Sequence, residues 1–198
     1  MSIIYGAKVR SLERYIYKKL GLRNGSTYLF CNLLGVYLDI KPAAMGDWAI
    51  DSADEKSIRL LKKKLLALGI YVVDGGIRSG NDFFEFYASK SVKRAEELRN
   101  LFEESFNKGR DHELNTKLGK MLGYPDTAIQ YYIRLHPENG VSKKHLAMIN
   151  RNRFYAHSLA HEDDEFLAYE YPLYKYIEKH CPRTAKFLKS DTKKRWLD

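Results

Sequence analysis

The chain has 198 residues, 44% of them hydrophobic and 30% charged, which fits one ordinary globular domain or two small ones and excludes a disordered segment. Its formal net charge of +9 leaves room for nucleic acid, an anionic surface or an acidic protein as partner. Two cysteines, Cys31 and Cys181, make no disulfide framework, so a reducing cytoplasm is expected. No apolar run approaches the roughly 18 residues of a membrane span, and no signal peptide is apparent. The excess charge is concentrated: residues 1–26 hold six basic side chains against one acidic.

In chain order, residues 7–20 read as a helix. Val9, Leu12, Ile16 and Leu20 share one face, and Gly21 ends it. Lys8, Arg10, Arg14, Lys18 and Lys19 supply its charge, with Tyr15 and Tyr17 between them, a pattern able to grip phosphates. Asn24-Gly25 signals a turn. The apolar run Thr27–Ile40 reads as a strand over Gly35–Ile40, its earlier part fitting strand or buried helix alike. After the break at Lys41 to Gly46, Asp47–Ile50 reads as a short strand.

Asp51 or Ser52 is placed to cap a helix over 53–68, with Ile58, Leu61, Leu65 and Leu68 inward. Ile70–Val73 forms the next strand, and Asp74-Gly75-Gly76 turns the chain. GGIRSG at 75–80 lacks both phosphate-loop spacings and reads as a hairpin loop into Asp82–Ala88. Ser89 or Ser91 then starts a helix to Phe106, facing Ala95, Leu98, Leu101, Phe102 and Ser105 inward.

The expected class is α+β: a small mixed sheet with helices in the order α-β-β-α-β-β-α over 1–106, followed by a helical region over 107–198. That order resembles LAGLIDADG homing endonucleases. Their metal-binding carboxylate is missing here, since the first helix ends Lys18-Lys19-Leu20-Gly21.

The helical region is organised around His112–Leu135. Leu114, Leu118, Met121 and Leu122 line one helical face. Gly123 ends that helix, Pro125 opens the next, and Asp126 suits its positive end. Gly119 is small enough to let the two helices cross closely. The segment resembles bacterial helix-turn-helix regulators over about twenty residues, which implies base contacts from Thr127, Gln130 and Arg134. Leu122 to Pro125, with Ser158, Glu162 and Glu165 beyond, is also similar to small uncharacterised prokaryotic proteins that carry a Leu-Gly-Tyr-Pro helical hairpin. That likeness implies a fold for the C-terminal half and no chemistry.

Further on, His157 and His161 stand four apart, with Glu165 four beyond, and on one helix they would share a face able to bind zinc or iron. Ser158 as an N-cap, followed by Glu162 to Glu165 in the first turns, is the competing reading, and it dissolves that cluster. Beyond it, Pro182 opens a last helix with Ala185 and Leu188 inward. No reaction is disclosed and no cofactor is called for. The leading expectation is a non-catalytic protein associated with nucleic acid or an acidic partner, through Arg10, Arg14 and Lys18 together with the hairpin. The alternative is a metal-dependent enzyme using His157, His161 and Glu165.

Overall fold

A computed structural model describes residues 3–49, 54–77, 83–108, 111–135 and 171–196. Helices α1 (Ile3–Leu20) and α2 (Asn24–Tyr37) lead into strand β1 (Ala43–Ala49). Helix α3 (Glu55–Leu66), strands β2 (Tyr71–Ile77) and β3 (Phe83–Ser89) and helix α4 (Val92–Lys108) follow. The hairpin is α5 (His112–Met121) and α6 (Asp126–Leu135); α7 (Tyr171–His180) and α8 (Pro182–Trp196) come last. The class is α+β. The sheet is antiparallel throughout rather than mixed, in the order β1-β3-β2.

Two elements depart from the sequence expectation. Strand β1 starts at Ala43, inside the stretch Lys41 to Gly46 that reads as a break, because Ala43 and Ala44 pair with Ser89 and Ala88 of β3. The apolar run before Ile40 is the helix α2, so Gly35–Ile40 is not a strand and the order is α-α-β-α-β-β-α. The homing-endonuclease order is therefore not the observed one. The reason is burial on all sides. α2 contacts α1, β1, β3 and α7, and Leu29, Phe30, Cys31, Leu33, Leu34 and Val36 are all buried. A helix enclosed this way needs no polar face, and its sequence loses the 3.6-residue alternation that would announce it.

Asn24-Gly25 opens this helix instead of turning the chain. Ser26 secures the junction: its hydroxyl accepts from the Arg23 N–H at 3.1 Å and donates to the Gly21 carbonyl at 2.5 Å. At the other end Asp39 takes a left-handed conformation, φ 61°, one that aspartate tolerates better than most side chains. The N–H groups of Ile40 and Lys41 then close on the Gly35 carbonyl at 3.0 and 3.1 Å.

The caps of α3 and α4 fall close to where the sequence puts them. Asp54, rather than Asp51 or Ser52, caps α3 by accepting from the Ser57 N–H at 2.8 Å. Ser91 stands before α4, its hydroxyl accepting from the Arg94 N–H at 3.4 Å. β2 runs on through Gly75-Gly76 with a register shift between Asp74 and Gly76, rather than turning there. A Cβ at Gly75 would lie 2.8 Å from the Tyr87 ring, so the irregular step lets the strand pass that side chain. Residues 78–82, where a hairpin loop is expected, lie outside the described residues.

The two sheet faces build two cores. Ala44, Trp48, Phe84, Phe86 and Ala88 point to α1 and α2, and Leu173, Ile177, Cys181, Ala185 and Leu188 of the last two helices join that core. Ala43, Met45 and Tyr87 point the other way, to Leu98 and Phe102 of α4 and to Leu114 and Leu118 of α5. Gly46, paired with Phe86, is where α2 presses closest on the sheet: a Cβ there would meet the Leu29 methyl at 2.7 Å and the Phe86 ring.

Gly46→Ala is therefore expected to cost about 1–3 kcal/mol through overpacking. The urea midpoint measures it. Gly25→Ala, with nothing within 4 Å of the added carbon, is the control and should stay near the native midpoint.

Candidate functional site

Helix α1 divides its side chains sharply. Val9, Leu12 and Ile16 are buried as expected, and Leu20 packs at the core edge. Arg14 and Lys18 are exposed and Arg10 is half-buried, at i, i+4 and i+8, on one shared side of the helix. The remaining cations of α1 are engaged. Lys8 donates to the Ala67 carbonyl at the end of α3 (3.0 Å), and Lys19 lies 3.6 Å from Asp54. Arg10, Arg14 and Lys18 make no ion pair among the described residues.

The one carboxylate of α1, Glu13, is turned inward and is 2% exposed. It accepts from the Thr184 N–H at 3.0 Å and from the Thr184 hydroxyl at 2.6 Å. The Tyr17 hydroxyl lies 2.7 Å from that same Thr184 oxygen. A residue of the first helix thus caps the last one, where a carboxylate suits the positive helix end. Burial pushes both the Tyr17 hydroxyl and the Cys181 thiol well above their ordinary ranges, which leaves this buried cysteine unreactive.

Arg10 borders the end of α7. A Cβ at Gly6 would lie 3.4 Å from His180 Nδ1 and 3.6 Å from Arg10 Nη1, so the missing side chain admits both. His180 packs on Tyr176 at 4.5 Å between ring centroids, and Tyr176 meets Tyr37 edge-on at 6.3 Å. Desolvation, then Tyr37, pushes the Tyr176 hydroxyl up to about 12. Desolvation, then Lys179 and Arg10, holds His180 below its ordinary value.

The hairpin has the anatomy its sequence predicts. Asp111 caps α5 by accepting from the Leu114 N–H at 3.0 Å. Gly123 is left-handed, φ 75°, and the Tyr124 N–H returns to the Gly119 carbonyl at 2.9 Å. Gly119 is indeed the crossing point: a Cβ there would sit 2.7 Å from Ile129 Cγ1. Gln130 is exposed, Thr127 half-buried, and Arg134 falls in the last turn of α6.

The basic face of α1 and the hairpin do not form one surface. α1 belongs to the core on the Phe86 face of the sheet, while α5 packs on α4 at the Tyr87 face. His157, His161 and Glu165 lie outside the described residues. Among the described residues no group of three or more His, Cys, Asp or Glu is arranged to hold a metal.

A cavity of about 510 Å³ opens beside the hairpin turn. Lys41, Lys90, Arg94 and Lys120 line it together with Asp39, Asp126 and Tyr124. Among the described lining residues four cations stand against two carboxylates, a net charge of +2. Lys41 is 6% exposed, and its ammonium donates to the neutral Asn32 Oδ1 at 2.5 Å and lies 5.3 Å from the centre of the Tyr124 ring. Lys90, Arg94 and Lys120 are exposed at the rim. These residues come from the α2–β1 connection, the start of α4 and the hairpin, and no sequence spacing relates them. The only local sign is Gly123, the hairpin glycine, whose absent Cβ would lie 3.0 Å from Pro42 and 3.1 Å from the Lys41 backbone.

Comparison with known proteins finds no matching family, no similar curated protein and no similar solved structure. Among the described residues no helix is long and apolar enough to cross a membrane.

Two outcomes are expected. Glu13→Ala strands the donors of Thr184 and should cost about 1.5–3 kcal/mol by urea unfolding, with Glu13→Gln, which keeps an acceptor, costing less. His180 has a folded pKa below its unfolded value of 6.5, so the unfolded chain takes the proton first. Stability is then complete above pH 6.5 and falls as pH drops through the folded value. Thermal melts from mildly acidic to mildly alkaline pH should show that slope, and His180→Gln should flatten it.

Proposed function

We propose that this is a non-catalytic nucleic-acid-associated protein that holds the phosphate backbone on the exposed side of α1. One observation carries the reading. Arg10, Arg14 and Lys18 share a side of α1, make no ion pair among the described residues, and have no acidic neighbour on their own helix, since Glu13 is buried under α8. Cations already matched to carboxylates gain little from a phosphate. Unmatched ones release bound counterions when they meet one, which is the main source of sequence-independent affinity. Arg10 and Arg14 also bring guanidinium forks that suit phosphate oxygens.

The hairpin is assigned an accessory part. Gln130 is exposed on α6 and suits contact with a base edge, while Asp126 at the start of that helix repels phosphate. The backbone grip on α1 therefore contributes more to affinity than the hairpin does.

The test is binding of labelled duplex and single-stranded oligonucleotides over a range of salt. Affinity should fall steeply with salt, and the combined variant Arg10→Glu/Arg14→Glu/Lys18→Glu should lower the log–log slope by about 3, one per lost contact. Circular dichroism would confirm that the variant folds. Unchanged binding by a folded variant would remove α1 from the interface.

A further inference from the structure

The geometry points to a second site: the basic cavity beside the hairpin turn binds the terminal phosphate of a nucleotide. The reading of α1 plays no part in this assignment, and either can fail alone.

Three features of the cavity select the ligand. The first is charge and its depth. Lys41 is buried at the wall while Lys90, Arg94 and Lys120 stand at the rim, so an anion entering meets cations at both levels. Among its partners Lys41 donates to the amide oxygen of Asn32, which orients its ammonium. Arg94 makes no ion pair among the described residues.

The two carboxylates among the described lining residues are exposed partners of rim lysines: Asp39 pairs with Lys90, and Asp126 lies 3.7 Å from Lys120. Pairs of this exposed kind contribute little and are readily exchanged for a doubly charged phosphate. Lys90 and Arg94 also flank the start of α4, a 17-residue helix with no acidic residue in its first turn, so its positive end adds to the same field.

The second feature is size. About 510 Å³ is ample for inorganic phosphate and lies within the range of sites that hold small organic ligands. It is a pocket for one nucleotide, and a duplex would reach it only by an end. The third is Tyr124, which lines the cavity, its ring beside the Lys41 ammonium. An aromatic wall beside a phosphate-binding floor suits a base joined to its phosphate. Such a phosphate monoester has two sources, a free nucleoside monophosphate or the phosphorylated end of a strand.

Calorimetric titration of the full chain with adenosine monophosphate, adenosine and inorganic phosphate tests the assignment. Adenosine monophosphate should bind and adenosine should not. Arg94→Glu and Lys120→Glu, both at exposed positions, should each weaken adenosine monophosphate by about tenfold or more. Tyr124→Leu should weaken adenosine monophosphate while leaving inorganic phosphate unchanged. A short oligonucleotide with and without a 5′-phosphate separates the sources. Measured in the α1 charge-reversal variant, the phosphorylated oligonucleotide binds more tightly than the free nucleotide if the strand end is the natural ligand; if the mononucleotide is, the order reverses. No binding of adenosine monophosphate at millimolar concentration would overturn the site. So would equal binding of adenosine, or full affinity in a folded Arg94→Glu variant. The α1 charge-reversal variant should bind adenosine monophosphate normally, which keeps the two sites separable.

Discussion

Everything in this fold leans on the enclosure of α2. Its six most buried apolar side chains, from Leu29 to Val36, are turned to different neighbours, so α1, the sheet and α7 are each held by a different side of one helix. Fully burying a side chain of this size contributes about 1.5–3 kcal/mol. The consequence reaches the sheet at Gly46, where β1 gives up a side chain so that Leu29 can approach. It reaches the C-terminal helices through Leu173 and Ile177.

The end of α2 also shapes the cavity. Gly35 leaves room for the Lys41 stem, which would otherwise lie 2.9 Å from its Cβ, and Asn32 one turn earlier receives the Lys41 ammonium. Lys41 is thus folded back along the helix it has just left. Its backbone and Pro42 then form the surface on which Gly123 of the hairpin turn rests. A helix terminus, a buried lysine and a distant turn become one wall. The left-handed Asp39 at this bend reaches out to Lys90, which ties the start of α4 to the same place.

Much of the fold was legible because its signals are local. The stripe on α1, the aromatic strand from Phe83 to Tyr87 and the Gly119-to-Pro125 hairpin all follow from period or from punctuation that the backbone enforces, whereas Ala43 to Gly46, small residues next to a proline, read as a break although they begin β1. α2 was not legible for the opposite reason: an element buried all round has no amphipathic period, and a continuous apolar run fits strand and helix alike. The cavity was less legible still. Lys41, Lys90, Arg94 and Lys120 read singly as surface lysines and an arginine, and only the docking of the hairpin against the α2–β1 connection brings them together.

Glu13 shows why counting charge along a helix misleads. In sequence it lies between Arg10 and Arg14 and reads as a partner for either. In the fold it is committed to Thr184, because the start of α8 is buried against α1 and its N–H groups need an acceptor there. A neutral acceptor would satisfy the same hydrogen bonds, but a carboxylate also suits the helix dipole. Satisfying the last helix of the chain therefore removes the only anion from the first. That Arg10, Arg14 and Lys18 make no ion pair among the described residues follows from a packing requirement 171 residues away in sequence, as much as from their own spacing.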